Sequence, residues 1–387
     1  MFYGFTEEEQ AFSDVAREYA QKRLAPIEAG QEEADFDTIA REMAELGFTG
    51  ILLPEEYGGM AGTRVQYCAV VEELSKVTTD YNVAFSKAQM DGMALIKFGS
   101  PKLREKYLPR MIAGELKCST SLTEPNTGSD ASGLECMAAK DEEGNWHING
   151  NKMFTSQICN AADVFLVVCQ TDKTLSPPHK GIVTFFVDKD TPGISYKSAG
   201  EIIGDGKYMK ATAVYYDDVV VPESQMIGKV GQGFLAVSSA LDIGRLSIAA
   251  AAVGVCQHAV DETTKYVKER KQFGREIGQF QLVQGRLADM IVETEAARAM
   301  LYRAASMADQ NGGGRMECAY AKYYCSEVAQ RVTYNAVQLH GGYGLCMEYP
   351  VIKLWMEARK WTIVDGASDI QKLMIGRDAT GYNALRR

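Results

Sequence analysis

Two aspartates in this sequence stand where a carboxylate could work as a proton-abstracting base. The first, Asp365, follows the apolar residues Ile363 and Val364 and directly precedes Gly366. Apolar surroundings at a junction between a loop and a helix disfavour the charged form of a carboxyl group, which moves its proton affinity toward that of a working base. The other interpretation is that Asp365 only caps the helix that follows, because aspartate is a favoured N-cap residue.

The second aspartate, Asp91, lies in the apolar stretch 83–98, which has the spacing of a helix. Its neighbours on one helical face are Ala84, Ala88, Ala94, Leu95 and Phe98. An acid on an apolar face is costly unless it is paired or protonated. Lys87, one helical turn earlier, offers an ion pair as the structural alternative to a catalytic role.

A polar loop with the sequence SLTEPNTGSD covers residues 121–130. Gly128 allows the backbone to approach a ligand closely, while Thr123 and Ser129 offer hydroxyls and amides to a polar or phosphate-bearing partner. Taken alone, such a loop is more often structural than functional.

The composition excludes several classes of function. A net charge of −10 over 387 residues argues against nonspecific nucleic-acid binding. The nine cysteines show no metal-like spacing and are expected to be reduced thiols of a cytoplasmic protein. The small number of histidines, four, argues against a zinc site built from histidine ligands. The acidic start does not resemble a signal peptide, and no run of eighteen apolar residues predicts a membrane span.

The elements that must position these residues form three predicted domains. The N-terminal helical domain covers 1–119, the middle antiparallel β domain 120–230, and the C-terminal domain, with long helices suited to a bundle, 231–387. A capping pattern at 6–9 and helical periodicity through Tyr19 predict a first helix. The further predicted helices are 37–46, 66–76, 81–98, 101–113, 234–269, 280–310, 315–340 and 370–380, and the strands are 164–169, 181–187 and 211–216. The fold class is therefore α+β.

Across essentially the whole chain, motifs in the right order resemble those of the acyl-CoA dehydrogenases, flavoproteins that desaturate CoA thioesters. Besides the loop at 121–130, they are PEEYGG at 54–59, YLP with GE at 107–115, NGNKMFTS at 149–156, RKQFG with FQ at 270–281, and QLHGGYG at 338–344. The resemblance implies noncovalently held FAD, a homotetramer, an acyl-CoA thioester substrate and an electron-transferring flavoprotein as electron acceptor.

The resemblance also assigns roles to individual residues. Those expected to bind FAD are Leu122, Thr123, Gly128, Ser129, Phe154, Ser156, Arg270, Gln272, Phe273, Phe280, Gln338, Gly341, Gly342, Ala367 and Asp369. Those expected to bind substrate are Asp91, Ser129, Asp242, Arg245, Val364 and Gly366. Asp91 and Asp365 are the catalytic candidates, and no metal is expected.

The chain departs from the family pattern at the base. The family has a glutamate followed by Gly-Thr-Ser, whereas here Asp365 is followed by Gly366, Ala367 and Ser368. The base is one methylene shorter, which draws the carboxylate back by about 1.5 Å, and misplacement of about 1 Å can cost on the order of 10²-fold in rate. A shift of the backbone could compensate. The glutamate that some relatives use from an earlier helix would fall at Gly244.

The pair Asp91 and Asp365 resembles that of the cyclohexene- and cyclohexanecarbonyl-CoA dehydrogenases of anaerobic aromatic and alicyclic metabolism. The expected reaction is 1,4-dehydrogenation of cyclohex-1-ene-1-carbonyl-CoA, with Asp91 as the base at C3. Alternatives are a cyclohexane-1-carbonyl-CoA or short- or branched-chain acyl-CoA dehydrogenase using Asp365, a flavoprotein that binds acyl-CoA without desaturating it, and a nitroalkane-oxidase-like enzyme.

Overall fold

The computed structural model describes residues 4–158, 162–206 and 209–384. Its helices are α1 (Glu7–Tyr19), α2 (Ala25–Glu28), α3 (Phe36–Glu45), α4 (Arg64–Ser75), α5 (Asn82–Phe98), α6 (Pro101–Ile112), α7 (Gly233–Glu269), α8 (Gln281–Gln310), α9 (Arg315–His340), α10 (Pro350–Trp361) and α11 (Ser368–Thr380). Its strands are β1 (Cys118–Ser121), β2 (Met137–Lys140), β3 (Asn145–Ile158), β4 (Val164–Gln170), β5 (Ile182–Asp188), β6 (Ile194–Ser198), β7 (Met209–Pro222), β8 (Lys271–Gln272) and β9 (Arg275–Glu276).

The described residues form two compact units. The sheet unit comprises 34–62 and 80–244, and the helical unit comprises 4–33, 63–79 and 245–384. The predicted first domain contributes residues to both units, because α1 and α4 belong to the helical unit while α3, α5 and α6 belong to the sheet unit. Helical, β and helical segments follow one another along the chain as the sequence predicts.

The sheet unit is built on a seven-stranded sheet in the order β1-β4-β2-β3-β7-β6, with β5 also paired to β4. Strands β4 and β5 are almost wholly buried, which explains their continuous apolar sequences. Most pairings are antiparallel, as predicted, but β1 runs parallel to β4 over four residues. The sequence analysis missed β1 because its four residues, Cys-Ser-Thr-Ser, carry no apolar alternation.

Helices α5 and α6 share an apolar core with one face of this sheet. The core residues include Leu53, Leu95, Leu108, Phe186 and Ile227. Gln89 of α5 is fully buried and completes its hydrogen bonds with backbone groups, accepting from Leu52 N at 2.9 Å and donating to Phe48 O at 2.9 Å. These bonds fix the rotation of α5, and with it the direction of Asp91.

The helical unit is held by buried ionic contacts as well as apolar packing. Arg298 of α8 donates to Glu72 of α4 at 2.9 Å, and Tyr302 donates to the same carboxylate at 2.7 Å. The predicted helix 315–340 is confirmed in full. Helix α10 was not predicted, although Pro350 at its first turn is a typical start signal.

Helix α7 is long and apolar enough to cross a membrane by length and composition, but 78% of its most apolar window is buried inside the protein, as in a core helix. Among the described residues no cluster of histidine, cysteine, aspartate and glutamate could hold a metal ion. The cysteines of the described ranges are all unbridged thiols, and Cys346 is the exposed one among them.

Candidate active site

Asp91 is fully buried on α5, in the sheet unit. Its Oδ1 accepts a hydrogen bond of 2.9 Å from the hydroxyl of Thr120, which lies on β1. Burial raises the pKa of the neighbouring Cys118 thiol well above its usual value, and the Asp91 carboxylate raises it further. The carboxylate thus lies where the apolar helical face was expected to place it, with a partner that the sequence did not reveal.

The side chains of Ser119 and Ser121, which flank Thr120 on β1, form hydrogen bonds with residues of β3 and β7. Ser119 donates to the carbonyl oxygen of Ser156. Ser121 lies 3.3 Å from the hydroxyl of Thr155 and accepts a hydrogen bond of 2.9 Å from Tyr216. Successive side chains of a strand point to opposite faces, so this short strand links the surroundings of Asp91 to the middle of β3.

Phe154 stands out on β3 because it combines a left-handed backbone with an exposed ring. Its φ is +56° and its side chain is 56% exposed. The register of β3 against β7 shifts between Lys152 and Thr155, and such bulges re-aim side chains. Ser156, two residues on, is half-buried. The irregularity thus leaves an exposed aromatic ring two positions before the half-buried Ser156.

A buried ion pair anchors the loop that contains Leu122 and Thr123. The ammonium of Lys152 lies 2.7 Å from Glu124, and both side chains are buried. Lys152 also donates to the carbonyl of Leu122 at 3.1 Å, and the amide of Cys136 donates to Glu124 at 3.0 Å. The sequence analysis missed this pair, since nothing in the spacing of two charges 28 positions apart predicts a contact.

Beyond that anchor, Gly128 and Ser129 are exposed. The carbonyl of Thr123 accepts from the amide of Met153 at 2.7 Å, which joins the loop to β3. Exposed amide and hydroxyl groups on such an anchored loop suit a polar ligand.

Asp365 lies in the helical unit and does not cap α11. The N-cap of that helix is Ala367, and helical geometry begins at Ser368. Asp365 and Gly366 instead have successive left-handed conformations, with φ of +51° and +93°. The capping interpretation is therefore wrong, and Asp365 is half-buried in a tight turn ahead of the helix.

Two buried side chains hold that turn through one carbonyl oxygen. Lys322 of α9 donates to Gly366 O at 2.8 Å, and Gln371 donates to the same atom at 3.0 Å. Burial lowers the pKa of Lys322 to about 8, while the charge of Asp365 opposes that shift. The sequence analysis did not single out either residue.

Other substrate candidates lie near this turn or on α7. Arg245 is buried, and its Nη2 lies 3.9 Å from the sulfur of Met374. A β-carbon added to Gly366 would lie 2.6 Å from Nε2 of Gln371 and 4.0 Å from Nη2 of Arg245. Asp242 is half-buried on α7, and Val364 is exposed.

A second group of predicted residues meets at the start of α8 in the helical unit. Phe273 has a φ of +53° in the turn between β8 and β9, and its ring is 93% exposed and 6.0 Å from that of Phe280. Arg270 lies over the ring of Tyr343, with its Cζ 5.2 Å from the centroid, and so reaches the loop of Gly341.

The remaining candidates of this unit lie in the turn between β8 and β9, around the loop of Gly341 and at the start of α11. Exposed ones are Gln272, Gln338, Gly341, Gly342 and Asp369, whereas Ala367 is half-buried. Ser368 Oγ is buried at the start of α11 and has no hydrogen-bond partner within the described ranges. A polar ligand would satisfy that hydroxyl.

Comparisons with known proteins match the chain throughout. Residues 6–115, 119–219 and 231–380 match the acyl-CoA dehydrogenase N-terminal, middle and C-terminal domain profiles. The Caffeyl-CoA reductase-Etf complex subunit CarC of Acetobacterium woodii is 35% identical, over 96% of this chain and 98% of that protein. The short-chain specific acyl-CoA dehydrogenase of Megasphaera elsdenii is 34% identical, over 97% and 99%. The solved structure of butyryl-CoA dehydrogenase from Megasphaera elsdenii has a TM-score of 0.91 at 33% identity, covering 98% of this chain and 100% of that one.

Proposed function

The chain belongs to the acyl-CoA dehydrogenase family, and we propose that within it the enzyme dehydrogenates cyclohex-1-ene-1-carbonyl-CoA to cyclohexa-1,5-diene-1-carbonyl-CoA. The observation that carries the proposal is the fully buried carboxylate of Asp91, bonded to Thr120. A buried carboxylate is expensive and persists where function needs it.

FAD is the cofactor, and the residues present fit it. Phe154 and Ser156 offer a ring and a hydroxyl, and the loop of Gly128 and Ser129 offers amides. Ser368 contributes a buried hydroxyl that lacks a partner among the described residues. When bound, FAD supplies the acceptor for a hydride.

The proposed reaction removes one proton and one hydride from the ring, and it needs a single base. The α carbon of the substrate is sp² and has no proton to lose, so the acidic proton is the vinylogous one on C3. Asp91 takes this proton, the C3–H electrons form the C2=C3 bond, and the electrons of C1=C2 form C1=C6 as C6 loses a hydride. Renumbered, the product is the 1,5-diene.

A second candidate function is favoured by a separate observation. Lys322 and Gln371 hold the turn of Asp365 in place. A base that abstracts an α proton must be held in a fixed position in this way. Asp365 would then dehydrogenate cyclohexane-1-carbonyl-CoA or a short- or branched-chain acyl-CoA. The short-chain specific relatives support this alternative.

We also propose two protein partners, an electron-transferring flavoprotein and further copies of this chain. A relative is a subunit of a caffeyl-CoA reductase-Etf complex, which supports an electron-transferring flavoprotein as acceptor. The 93% exposed ring of Phe273 supports a homotetramer in which another subunit covers it. We also propose a cytoplasmic location, with which the unbridged thiols agree.

Anaerobic mixing of the purified, FAD-loaded enzyme with four CoA thioesters tests these readings. The panel holds the butyryl, isobutyryl, cyclohexanecarbonyl and cyclohex-1-ene-1-carbonyl esters. Flavin absorbance is followed after mixing, and the product of each reaction is identified. The proposal is supported if the cyclohexene ester rapidly bleaches the flavin and yields a conjugated diene, and if Asp91→Asn abolishes this reaction. Bleaching with saturated esters alone, abolished by Asp365→Asn and spared by Asp91→Asn, would assign the second function. An oxidised flavin with every ester would contradict both.

A further inference from the structure

We propose that Thr120 is a positioning residue that keeps the Asp91 carboxylate ionised and correctly oriented to accept a proton. This inference rests on the proposed role of Asp91 as the C3 base. Thr120 has no part in the motifs that relate the chain to its family in sequence, and it emerges from the contact between β1 and α5.

The direction of the hydrogen bond is set by chemistry. An ionised carboxylate only accepts, so over the 2.9 Å between Thr120 Oγ1 and Asp91 Oδ1 the hydroxyl must donate. A donor to the charged form of an acid favours that form, whereas the complete burial of Asp91 disfavours it. The threonine hydroxyl therefore counteracts the main influence that would otherwise protonate the base.

The donor is held on a rigid element. Thr120 pairs with Leu166 in the parallel register of β1 and β4. Its neighbours Ser119 and Ser121 are bonded to Ser156 and Tyr216. A β-branched side chain has few χ1 states, which further limits where the hydroxyl can point. Strand β1 thereby fixes the position of Asp91 relative to the segment that carries Phe154 and Ser156.

The thiol of Cys118 is a titratable neighbour of this pair. Cys118 on β1 faces Asp91, and burial keeps its thiol protonated by raising its pKa well above the usual value. The other charges that act at this thiol are Asp163, Lys87 and Arg110. Because Cys118 stays neutral, removal of the Thr120 hydroxyl should change the titration of Asp91 without an exchange of charge at the thiol.

Matched variants separate the hydroxyl from the shape of the side chain. Thr120→Val keeps the branched shape and removes the donor, while Thr120→Ser keeps the donor. With the cyclohexene ester, we expect Thr120→Val to lower the rate of substrate oxidation by about tenfold to a hundredfold near pH 6.5, in line with a misplaced catalytic group. The loss should shrink as the pH rises, KM should change little, and Thr120→Ser should recover most of the rate.

A readout independent of turnover completes the test. Infrared difference spectra between each protein and its Asp91→Asn counterpart report the carbonyl stretch of protonated Asp91 as the pH is varied. We expect this band to persist to a higher pH in Thr120→Val, by about one pH unit, than in the wild type or Thr120→Ser. Identical titrations in all three proteins would overturn the role of Thr120. An Asp91 band that responds as expected in an enzyme inactive on the cyclohexene ester would instead overturn the proposed function alone.

Discussion

The ammonium of Lys322 donates to the carbonyl oxygen of Gly366 over 2.8 Å, although 44 positions separate the two residues. Gln371 reaches the same oxygen from α11 at 3.0 Å. Asp365 and Gly366 have successive left-handed conformations, which aspartate tolerates and glycine adopts readily. The local sequence thus permits the turn, and the two donors explain how the turn presents its carboxylate reproducibly.

The first prediction concerns the space at Gly366. In Gly366→Ala, the added β-carbon would meet Gln371 Nε2 at 2.6 Å and the backbone would keep a φ of +93°. We expect the free energy of unfolding to fall by about 1–3 kcal/mol, the usual cost of such strain, as measured by urea denaturation of the FAD-loaded protein. Gly285→Ala is the control, because a β-carbon there meets nothing within 4 Å. Equal stability of the two variants would contradict the role of the turn.

The second prediction is a pH dependence that originates at Lys322. Its pKa in the folded protein is about 8, below the ordinary 10.5, so the unfolded chain binds this proton more tightly. Where only the unfolded state is protonated, between about pH 8 and pH 10.5, stability rises with pH. We expect the wild type to gain about 1–3 kcal/mol relative to Lys322→Met across this window, measured by unfolding at a series of pH values. A constant difference between the two proteins would argue that the lysine titrates normally.

The third prediction tests the anchor of the cofactor loop. In Glu124→Gln, the buried ammonium of Lys152 loses its counter-charge, and we expect a loss of about 3–5 kcal/mol in unfolding free energy. FAD should also dissociate faster, since Glu124 holds the loop next to Thr123. Flavin fluorescence on release measures this.

Glu223→Gln is the matched control for that variant, because its partner Lys140 forms an exposed pair at 2.7 Å. Exposed pairs contribute about 0–1 kcal/mol. If both substitutions had the same small effect, the buried pair would not be the anchor of the loop.

The fourth prediction concerns the departure from the family at Ala367. Ala367→Thr restores a hydroxyl at a half-buried position beside Ser368, whose buried hydroxyl has no partner in the described part of the chain. A hydrogen bond contributes about 0.5–1.5 kcal/mol net, so FAD should dissociate several-fold more slowly. Ala367→Val, which has the same shape without the hydroxyl, should not slow release; if it does so equally, packing rather than a hydrogen bond is responsible.

Much of the site was accessible from sequence because its signals are local. The apolar spacing of 83–98 predicted the helix and the buried face that carry Asp91, and α5 covers Asn82–Phe98. The motifs of the family identified the chain without any structure, since each is a short run of residues in fixed order. Glycine next to Asp365 likewise indicated a break in the chain before α11.

What the sequence could not supply are the partners of the candidate catalytic groups. Thr120 meets Asp91 only because a four-residue strand without an apolar pattern packs on α5, and Lys322 meets Gly366 only because α9 lies beside the turn. The capping interpretation of Asp365 failed because α11 begins three residues later, at Ser368, and Asp365 lies in a left-handed turn that α9 and α11 hold ahead of that helix. The resemblance of short motifs thus identified the family, and periodicity predicted the helices and the buried position of Asp91. Packing between distant segments set the hydrogen bonds that orient the two carboxylates.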